Sequence, residues 1–242
     1  MFNRNMSKKE LVKEVFDSVA NQYDLMNSLM SCGLHKIWKK KFISMIEPYQ
    51  YHKLLDVAGG TGDIAMGFLD NGGGEAVICD INRNMLLAGD KNRLDGGQFN
   101  RYKGRLSTLC CDAQQLPIED NSFDRVTISF GIRNVENIEV ALSEMFRVLK
   151  VGGKFLCMEF MRPESDSMTR KLYDFFSFNF IPLIGKIVVG DEKPYQYLVE
   201  SIREFPKKED FIKMIYGAGF EMVKTKILLD DVVAIYSGYK LS

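Results

Sequence analysis

The stretch LDVAGGTGD, Leu55 to Asp63, decides the fold of this 242-residue chain. A short apolar segment, Lys53 to Ala58, predicts a buried strand, and the residues from Asp63 onward predict a helix. The three glycines between them lie at the strand-to-helix turn, where the backbone can come close to a ligand. The stretch therefore predicts a loop that binds a nucleotide cofactor.

An acidic residue accompanies each of three successive predicted strands. Asp56 precedes the glycines, Asp80 ends the apolar run AVICD, and Asp112 follows the strand-like run LSTLCC. An acid at the tip of the second strand can hydrogen-bond a ribose diol. Asp56 can hold the ammonium of a methionine tail, directly or through water, and Asp112 stands where enzymes that use this cofactor bind the adenine amino group. The three acids favour S-adenosylmethionine, which is cationic and carries no phosphate.

Two alternatives remain open at this loop. Gly60, Gly62 and Ala65 also match a loose dinucleotide pattern, which keeps NAD open, although the carboxylate of Asp56 would repel a pyrophosphate. Each acid could instead only cap a helix.

The composition is that of one globular enzyme domain with balanced charge. Thirty-two basic residues match thirty-two acidic ones, and 46% of the residues are hydrophobic, enough to fill a sizeable core. The electrostatic footprint of nucleic-acid binding is missing. Lys36, Lys39, Lys40 and Lys41 alternate with apolar residues, which favours the water-facing side of a helix. Contact with a membrane surface is the alternative for this cluster.

The cysteines and histidines do not predict a metal site. The five cysteines have no C-x-x-C spacing, and most fall in predicted buried strands. We therefore expect reduced core cysteines in a cytoplasmic protein that binds no metal. The amino terminus lacks the apolar segment of a signal peptide, and polar residues interrupt the apolar run from Leu172 to Gly190, which makes it a poor membrane span.

Strand and helix patterns alternate along the rest of the chain. Such alternation implies a doubly wound, mostly parallel sheet whose ligands bind beyond the carboxyl ends of the strands. We therefore predict a single α/β domain over residues 1–242. The supporting segments are a capping box at Ser7 to Glu10, helices at His35 to Glu47 and Glu136 to Lys150, strands at Arg125 to Phe130 and Lys154 to Phe160, and a closing hairpin that turns near Asp230 and Asp231.

Several longer segments resemble one enzyme family. YDLMNSLMSCGLHKIW, Tyr23 to Trp38, and RVLKVGGKFLCMEF, Arg147 to Phe160, look like the two signatures of the ubiquinone/menaquinone biosynthesis C-methyltransferases. ISFGIRNV, YQYLVESI and the closing VVAIYSGYK fit the same family, so the resemblance spans nearly the whole chain. The segment Gly89 to Thr108 is not distinctive.

The resemblance implies a fold, a reaction and a location. The fold is a seven-stranded, mostly parallel, Rossmann-like sheet of the class I methyltransferase type, with an N-terminal helical lid over residues 1–50 and a helical insertion over residues 162–206 that faces substrate or membrane. The reaction moves a methyl group from S-adenosylmethionine to a ring carbon of a polyprenyl benzoquinol or demethylmenaquinol. The implied partners are that quinol, the inner face of a membrane contacted peripherally, other quinone-biosynthesis enzymes and a second copy in a homodimer. No nucleic-acid partner is expected.

The resemblance also assigns roles to individual residues. Arg133 and Asn134 follow the fourth strand, where sulfonium and ring must meet, and they are the predicted catalytic residues. The alternative is that Arg133 pairs with Glu136 or Asp63 and only holds the loop. The predicted cofactor-binding residues are Asp56, Gly59, Gly60, Thr61, Gly62, Asp80, Ile81, Met85, Asp112, Ala113 and Ser129.

Substrate binding is predicted for two separate segments. Tyr23, Asn27 and His35 are predicted to fold over the site as a lid, and a purely structural histidine is the alternative for His35. Phe176 and Phe180 belong to an aromatic run that predicts a tunnel or membrane-contacting flap for an isoprenoid tail. Core packing of an inserted helix pair is the alternative for that run.

Two other functions stay open beside the methyltransferase. An NAD-dependent oxidoreductase would use the same glycine loop, but the sequence offers no Tyr-x-x-x-Lys or hydride-relay group near the expected site. A non-catalytic cofactor-binding subunit of a lipid-synthesis complex is disfavoured because every motif position expected to touch cofactor is intact.

Overall fold

The structure is a computed structural model that describes Lys8, Val12 and residues 33–162, 193–229 and 232–242. Parts of the predicted N-terminal lid and most of the predicted insertion are therefore not described. The predicted positions outside the described residues are Ser7, Glu10, Tyr23, Asn27, Phe176, Phe180, Asp230 and Asp231.

Strands and helices alternate through the described part of the chain. None of the helices in these ranges is both long enough and apolar enough to cross a bilayer. The strands are β1 (Lys53–Val57), β2 (Glu75–Asp80), β3 (Leu106–Cys110), β4 (Phe123–Ser129), β5 (Leu149–Phe160), β6 (Glu221–Leu228) and β7 (Val233–Tyr239). The helices are α1 (His35–Ile46), α2 (Asp63–Asp70), α3 (Arg83–Asp95), α4 (Phe99–Tyr102), α5 (Ile138–Val148), α6 (Lys193–Glu204) and α7 (Lys208–Gly217), and a short 3-10 turn, Ile132–Asn134, follows β4.

The described strands form one seven-stranded sheet in the order β3-β2-β1-β4-β5-β7-β6. Strands β1 to β5 are parallel to one another, and β7 runs antiparallel between β5 and β6. The direction in which strands are added reverses at β1, which lies between β2 and β4. Sheets of this kind bind ligands beyond the carboxyl ends of the strands at such a reversal. The predicted doubly wound, mostly parallel seven-stranded sheet is confirmed.

The central strands are apolar on both faces because helices cover both faces. Neighbouring residues of a strand point to opposite sides, and Leu54 and Leu55 of β1 accordingly belong to two different core clusters. Leu54 packs in the cluster that contains Phe42 of α1. Leu55 packs in the cluster that contains Phe211 of α7. All four side chains are fully buried, so the sheet forms a rigid base for the loops at its edge.

Helix α1 has nearly the predicted bounds. It ends at Ile46, and the next residue, Glu47, takes a left-handed conformation with φ of 59°. Side chains repeat with helical periodicity, so one side faces the core and the other faces water. This confirms the predicted orientation of three lysines of the cluster, whereas the side chain of Lys39 is 16% exposed and pairs with Asp63. The buried residues are Trp38, Phe42 and Ile46, and the exposed lysines are Lys36, Lys40 and Lys41.

Strand β5 begins at Leu149 rather than at the predicted Lys154. The predicted helix stop at Gly152 is therefore wrong, because α5 ends earlier and the glycine lies within the strand. Pairing with β4 shifts register between Phe123 and Arg125. Phe123 pairs with Leu149 and Arg125 with Lys154, so the extra residues, Gly152 among them, lie in β5. Gly152 has φ of 80°, a value that only glycine adopts easily.

The prediction of five reduced cysteines is wrong for one pair. Cys79 in β2 and Cys111 just after β3 form a disulfide, with Cα atoms 6.1 Å apart. The two strands are parallel neighbours whose register pairs Cys79 with Leu109. Cys111 comes two residues after Leu109, on the same face of the sheet, and so lies within reach of Cys79. Spacing along the sequence gives no sign of such a contact between strands. Of the other described cysteines, Cys157 is a buried thiol and Cys110 an exposed one.

Candidate active site

A cavity opens at the carboxyl ends of β1, β2 and β4, where the strand order reverses. Its empty space is about 810 Å³, including the part open to solvent. The predicted residues that line it are Gly60, Asp80, Ile81, Met85, Asp112, Ala113 and Asn134. The other predicted residues in the described ranges do not line it, namely Asp56, Gly59, Thr61, Gly62, Ser129, Arg133 and His35.

The glycine loop leaves β1 with no space for side chains. A Cβ added to Gly59 would lie 2.8 Å from the Oδ2 atom of Asp56, and one added to Gly62 would lie 2.4 Å from the side chain of Ile78. Gly62 also has φ of 93° and stands directly before α2. The loop is therefore held tightly against β2, and its bare backbone faces the cavity through Gly60.

Asp80 joins the glycine loop to the second strand. Its Oδ2 atom accepts a hydrogen bond of 2.9 Å from the amide of Gly60, and its Oδ1 atom accepts one of 2.8 Å from the amide of Asn82. Burial raises the pKa of Asp80, and these two amide hydrogen bonds oppose that rise. Helix α3 is capped by Asn82, not by Asp80. The helix-cap alternative therefore does not explain this acid.

Asp112 lines the cavity beyond the end of β3. Its Oδ1 atom accepts hydrogen bonds from the backbone amide of Gln114 at 3.0 Å and from the Gln114 side chain at 3.3 Å. This tight turn fixes the carboxylate on the same wall as Ala113. Asp112 does not cap any of the described helices. The helix-cap alternative therefore does not explain why this acid lies in the wall of the cavity.

Asp56 is a fully buried carboxylate with one oxygen unpaired. Its Oδ1 atom accepts a 2.8 Å hydrogen bond from the hydroxyl of Thr127, whereas Oδ2 forms no hydrogen bond with any described residue. Burial raises the pKa of Asp56 to about 7, although Thr127 and the Ala65 amide both act to lower it. A buried oxygen of this kind fits an ammonium group, although Asp56 itself lies behind the cavity wall.

Helix α3 holds the glycine loop from outside, a contact that the sequence did not predict. A Cβ on Gly89 would lie 2.6 Å from the carbonyl oxygen of Thr61, so only glycine lets the helix pack this closely. Arg93, which is buried, donates a 3.0 Å hydrogen bond to the same carbonyl. A glycine in the middle of a helix was the available signal, in a segment that otherwise looked undistinctive.

Two strand ends at the cavity have strained backbones. Ala58 after β1 and Phe130 after β4 have φ of 51° and 56°, which non-glycine residues rarely adopt. Both residues line the cavity. A Cβ on Gly131 would lie 2.5 Å from the Cβ of Ala58, so the two loops touch where the strands diverge. Strain at adjacent loop starts is typical of functional sites.

Arg133 is engaged in a buried ion pair with Glu159 of β5. Its Nη1 atom lies 2.7 Å from Oε1 of Glu159 and donates a 2.6 Å hydrogen bond to the carbonyl of Phe130. The guanidinium also stacks over the ring of Phe160 at 5.6 Å. Burial raises the pKa of Glu159, and Arg133 opposes that rise. The partner of Arg133 is therefore Glu159, not Glu136 or Asp63 as the alternative had it. The sequence analysis did not predict a role for Glu159.

Asn134 does reach the cavity and is held from behind by Tyr197. The Tyr197 hydroxyl donates a 3.0 Å hydrogen bond to Oδ1 of Asn134. Tyr197 comes from α6, in the described part of the predicted insertion over residues 162–206, and it is buried. The resemblance drew attention to this segment, YQYLVESI, without giving Tyr197 a role.

Two isolated residues of the N-terminal segment contact the same site. Val12 lines the cavity, and the amine of Lys8 donates a 3.0 Å hydrogen bond to the carbonyl of Val135. His35 at the start of α1 is buried, and burial lowers its pKa together with the charges of Lys39 and Lys36. The lid role of His35 stays a prediction, since it does not line the cavity.

The sheet order, the glycine loop and the acids at successive strand ends define a class I S-adenosylmethionine-dependent methyltransferase fold. Phosphoethanolamine N-methyltransferase 2 of Haemonchus contortus, solved with S-adenosyl-L-methionine, has a TM-score of 0.70 at 14% identity, covering 99% of this chain and 61% of that chain. The cyclase SpnF has a TM-score of 0.68 at 15% identity, covering 95% of this chain and 94% of that chain. These low identities show the fold alone, because one fold carries many reactions.

The chain belongs to the ubiE/COQ5 methyltransferase family, whose model matches residues 4–240. The ubiquinone/menaquinone biosynthesis C-methyltransferase UbiE of Dinoroseobacter shibae is 48% identical, over 98% of this chain and 94% of that protein. The mitochondrial 2-methoxy-6-polyprenyl-1,4-benzoquinol methylase of Homo sapiens is 43% identical, over 95% and 80%. The predicted family, fold and enzyme class are thereby confirmed, and the protein is a methyltransferase.

Proposed function

We propose that this protein methylates a ring carbon of a polyprenyl quinol, with S-adenosylmethionine as the methyl donor. The quinol is a benzoquinol or a demethylmenaquinol, as the names of the family relatives suggest. The observation that carries the proposal is one cavity at the strand-order reversal that brings together Gly60, Asp80, Asp112 and Asn134. Three acidic groups around the glycine loop suit a cationic, phosphate-free nucleoside better than a dinucleotide.

The cofactor would be held by residues that already have fixed positions. Asp80, anchored by two amides, accepts hydrogen bonds from the ribose hydroxyls, and Asp112 accepts one from the adenine amino group. The unpaired Oδ2 of Asp56 attracts the ammonium of the methionine tail, through water where the cavity wall intervenes. When bound, S-adenosylmethionine supplies a methyl group activated on a cationic sulfonium. The preformed hydrogen bonds of the acids mean that binding needs little rearrangement.

Asn134 and Arg133 are proposed to act on the quinol. A hydroquinone that has lost an oxygen proton is nucleophilic at its ring carbon, so the protein must stabilise the developing phenolate. Asn134 stands on the cavity wall with an amide that can donate to that oxygen. Arg133 is buried behind it, and its Nε atom has no hydrogen-bond partner among the described residues. A donor of the arginine thus remains available for a water that in turn donates to the phenolate oxygen, once the phenol proton has left to solvent.

A water-poor cavity favours this reaction. An anionic ring and a cationic donor give neutral products, so charge disappears along the path and exclusion of water lowers the barrier. Val12, Phe130 and Val135 give the cavity apolar walls beside the polar groups. The amine of Lys8 donates to the carbonyl of Val135 beside the cavity, which supports the lid proposed for residues 1–50.

The tail and the surroundings of the quinol are part of the same proposal. Tyr23, Asn27, His35, Phe176 and Phe180 are the proposed substrate-binding residues, of which only His35 lies in the described ranges. We propose a cytoplasmic enzyme that contacts the inner face of a membrane peripherally, since its substrate is dissolved there. Association with other quinone-biosynthesis enzymes and formation of a homodimer belong to this proposal too.

A direct assay tests the proposal. Purified protein is incubated with S-adenosylmethionine and with short-tailed quinols of both head-group types, kept reduced, and the product masses are read. We expect methylation of at least one quinol, and calorimetric binding of S-adenosylmethionine but not of NADH. Cofactor binding without methylation of either quinol would reject the substrate class. Restoration of quinone masses in a methyltransferase-deficient strain then identifies the natural head group.

A further inference from the structure

The side chain of Asn134 has two ends with different surroundings. Its Oδ1 atom accepts a hydrogen bond from the Tyr197 hydroxyl at 3.0 Å, behind the wall of the cavity. An amide whose oxygen is bound in this way keeps its two N–H donors for another partner. Asn134 also lines the cavity, so those donors are the part of the amide that can meet a ligand.

Tyr197 is suited to hold this amide in one orientation. It is 7% exposed and comes from α6, which packs against the turn that carries Asn134. Burial raises the pKa of Tyr197 to about 12, although the charge of Arg133 acts to lower it. The phenol therefore stays protonated at any ordinary pH and remains able to donate.

We propose that Tyr197 is a positioning residue that fixes the amide of Asn134 with its N–H groups toward the reacting oxygen of the substrate. This inference rests on the proposed function, in which Asn134 donates to a phenolate. A flipped amide would present its carbonyl oxygen to that phenolate, and two acceptors would repel each other. A phenol is a better donor than acceptor, so the Tyr197 hydroxyl favours the orientation in which it donates to Oδ1 and the N–H groups stay free for the substrate.

The variant Tyr197→Phe removes the hydroxyl and keeps the packing of the ring. The loss of one neutral hydrogen bond predicts a kcat roughly three- to tenfold lower, with the affinity for S-adenosylmethionine unchanged. The matched control is Tyr102→Phe. Tyr102 is also buried, and its hydroxyl lies 3.1 Å from both oxygens of Asp70, away from the cavity. This control should lower the melting temperature in a similar way without changing kcat.

A double-mutant cycle separates positioning from general support of the fold. If Tyr197 acts through Asn134, Tyr197→Phe should cause no further loss of kcat in an Asn134→Ala background. A structural role predicts the same fold-loss in both backgrounds. Asn134→Asp gives a second test, because it keeps an acceptor for Tyr197 but removes the donors toward the cavity. It should lose at least as much kcat as Asn134→Ala.

Three results would overturn the inference while leaving the proposed methylation of a quinol intact. They are an unchanged kcat in Tyr197→Phe, an equal loss in the Asn134→Ala background, and full activity of Asn134→Asp. Failure of the proposed function is distinct, because the unmodified protein would then methylate neither quinol. If Tyr197→Phe melts much lower than the Tyr102→Phe control, the double-mutant cycle is measured at a temperature where every variant is folded. The kcat values at that temperature still separate a positioning role of Tyr197 from a structural one.

Discussion

Replacement of Asp56 by asparagine tests whether the fold keeps an unpaired carboxylate for a cation. Burial raises the pKa of Asp56 from its ordinary 3.8 to about 7, against the hydrogen bond from Thr127. In the unfolded chain the same group ionises near its ordinary value. Between these two pH values the native protein holds a proton that the unfolded chain has lost. The free energy of unfolding therefore falls as pH rises through this window, and the full loss is reached above the folded pKa.

The size of this effect follows from the distance between the two pKa values. Each pH unit between them corresponds to about 1.4 kcal/mol, so the whole interval corresponds to about 4 kcal/mol. Asparagine keeps an oxygen for the Thr127 hydroxyl but does not titrate. Relative to the unmodified protein, Asp56→Asn should therefore gain about 4 kcal/mol of stability between roughly pH 4 and pH 8. Any fixed cost of burying the new amide is the same at each pH and does not alter this slope.

Urea unfolding of the cofactor-free proteins, followed by circular dichroism across that pH range, measures the difference. The same variant should bind S-adenosylmethionine more weakly in calorimetry, since a neutral amide attracts an ammonium less than a carboxylate does. The expected variant is thus more stable at high pH and poorer at binding. Parallel stability curves for the two proteins would refute the reasoning, because Asp56 would then ionise near its ordinary pKa in the folded state.

Asp124→Asn is the control of opposite sign. Burial opposes ionisation of Asp124, but the Lys53 amide and the amine of Lys150 together outweigh it and lower its pKa. Its contribution to stability is present above the unfolded pKa and is lost as pH falls through the folded pKa. The stability difference between Asp124→Asn and the unmodified protein should therefore shrink toward acid pH, whereas the Asp56→Asn difference changes at higher pH.

The remaining predictions concern cofactor, chemistry and tail. Asp80→Ala should weaken S-adenosylmethionine binding by roughly 1.5 to 3 kcal/mol in calorimetry, the range for hydrogen bonds to a charged group, and an unchanged Kd in a folded variant would reject the ribose assignment. Arg133→Ala should lower turnover at least about tenfold with nearly constant cofactor affinity, and it should also lower the melting temperature because it leaves Glu159 buried without its cation. An equal loss of cofactor affinity would make Arg133 structural, and Arg133→Lys should rescue only in part because a point charge cannot replace the planar guanidinium. Joint replacement of Phe176 and Phe180 by serine should reduce activity on long-tailed quinols much more than on a short-tailed analogue, since each buried aromatic contributes about 1.5 to 3 kcal/mol. Equal losses on both substrates together with a lower melting temperature would show that the aromatic run is core packing.

The features that the sequence predicted correctly are those encoded within a few neighbouring residues. The bounds of β1, α1 and β2 follow from hydrophobic periodicity and from glycines at turns, and these patterns are complete within each segment. Gly60, Asp80 and Asp112 meet at one cavity because parallel strands end at the same edge of the sheet. Once the strand pattern is known, that meeting is a matter of topology.

The features that the sequence did not predict depend on contacts between distant segments. Arg133 pairs with Glu159, whose neighbours along β5 are all buried. An acid within such an apolar run can mean either a buried acid with a partner or a wrongly assigned strand. The local sequence pattern is the same in both cases. The Cys79–Cys111 bond depends on the register of two parallel strands. Tyr197 meets Asn134 only because α6 packs on the turn after β4. Such pairings are properties of the packed sheet and its helices.

The position of β7 affects how the chain can fold during its synthesis. This strand lies between β5 and β6 although it follows both in the sequence, and Lys154 pairs with Tyr239 across the sheet. Among the described strands β6 has no other neighbour, so it can join the sheet only through β7. During synthesis on the ribosome, the backbone N–H and C=O groups of β6 therefore have no strand partner until β7 has emerged. A chain released before that point lacks an internal strand, and we expect cellular quality control to treat it as unfolded.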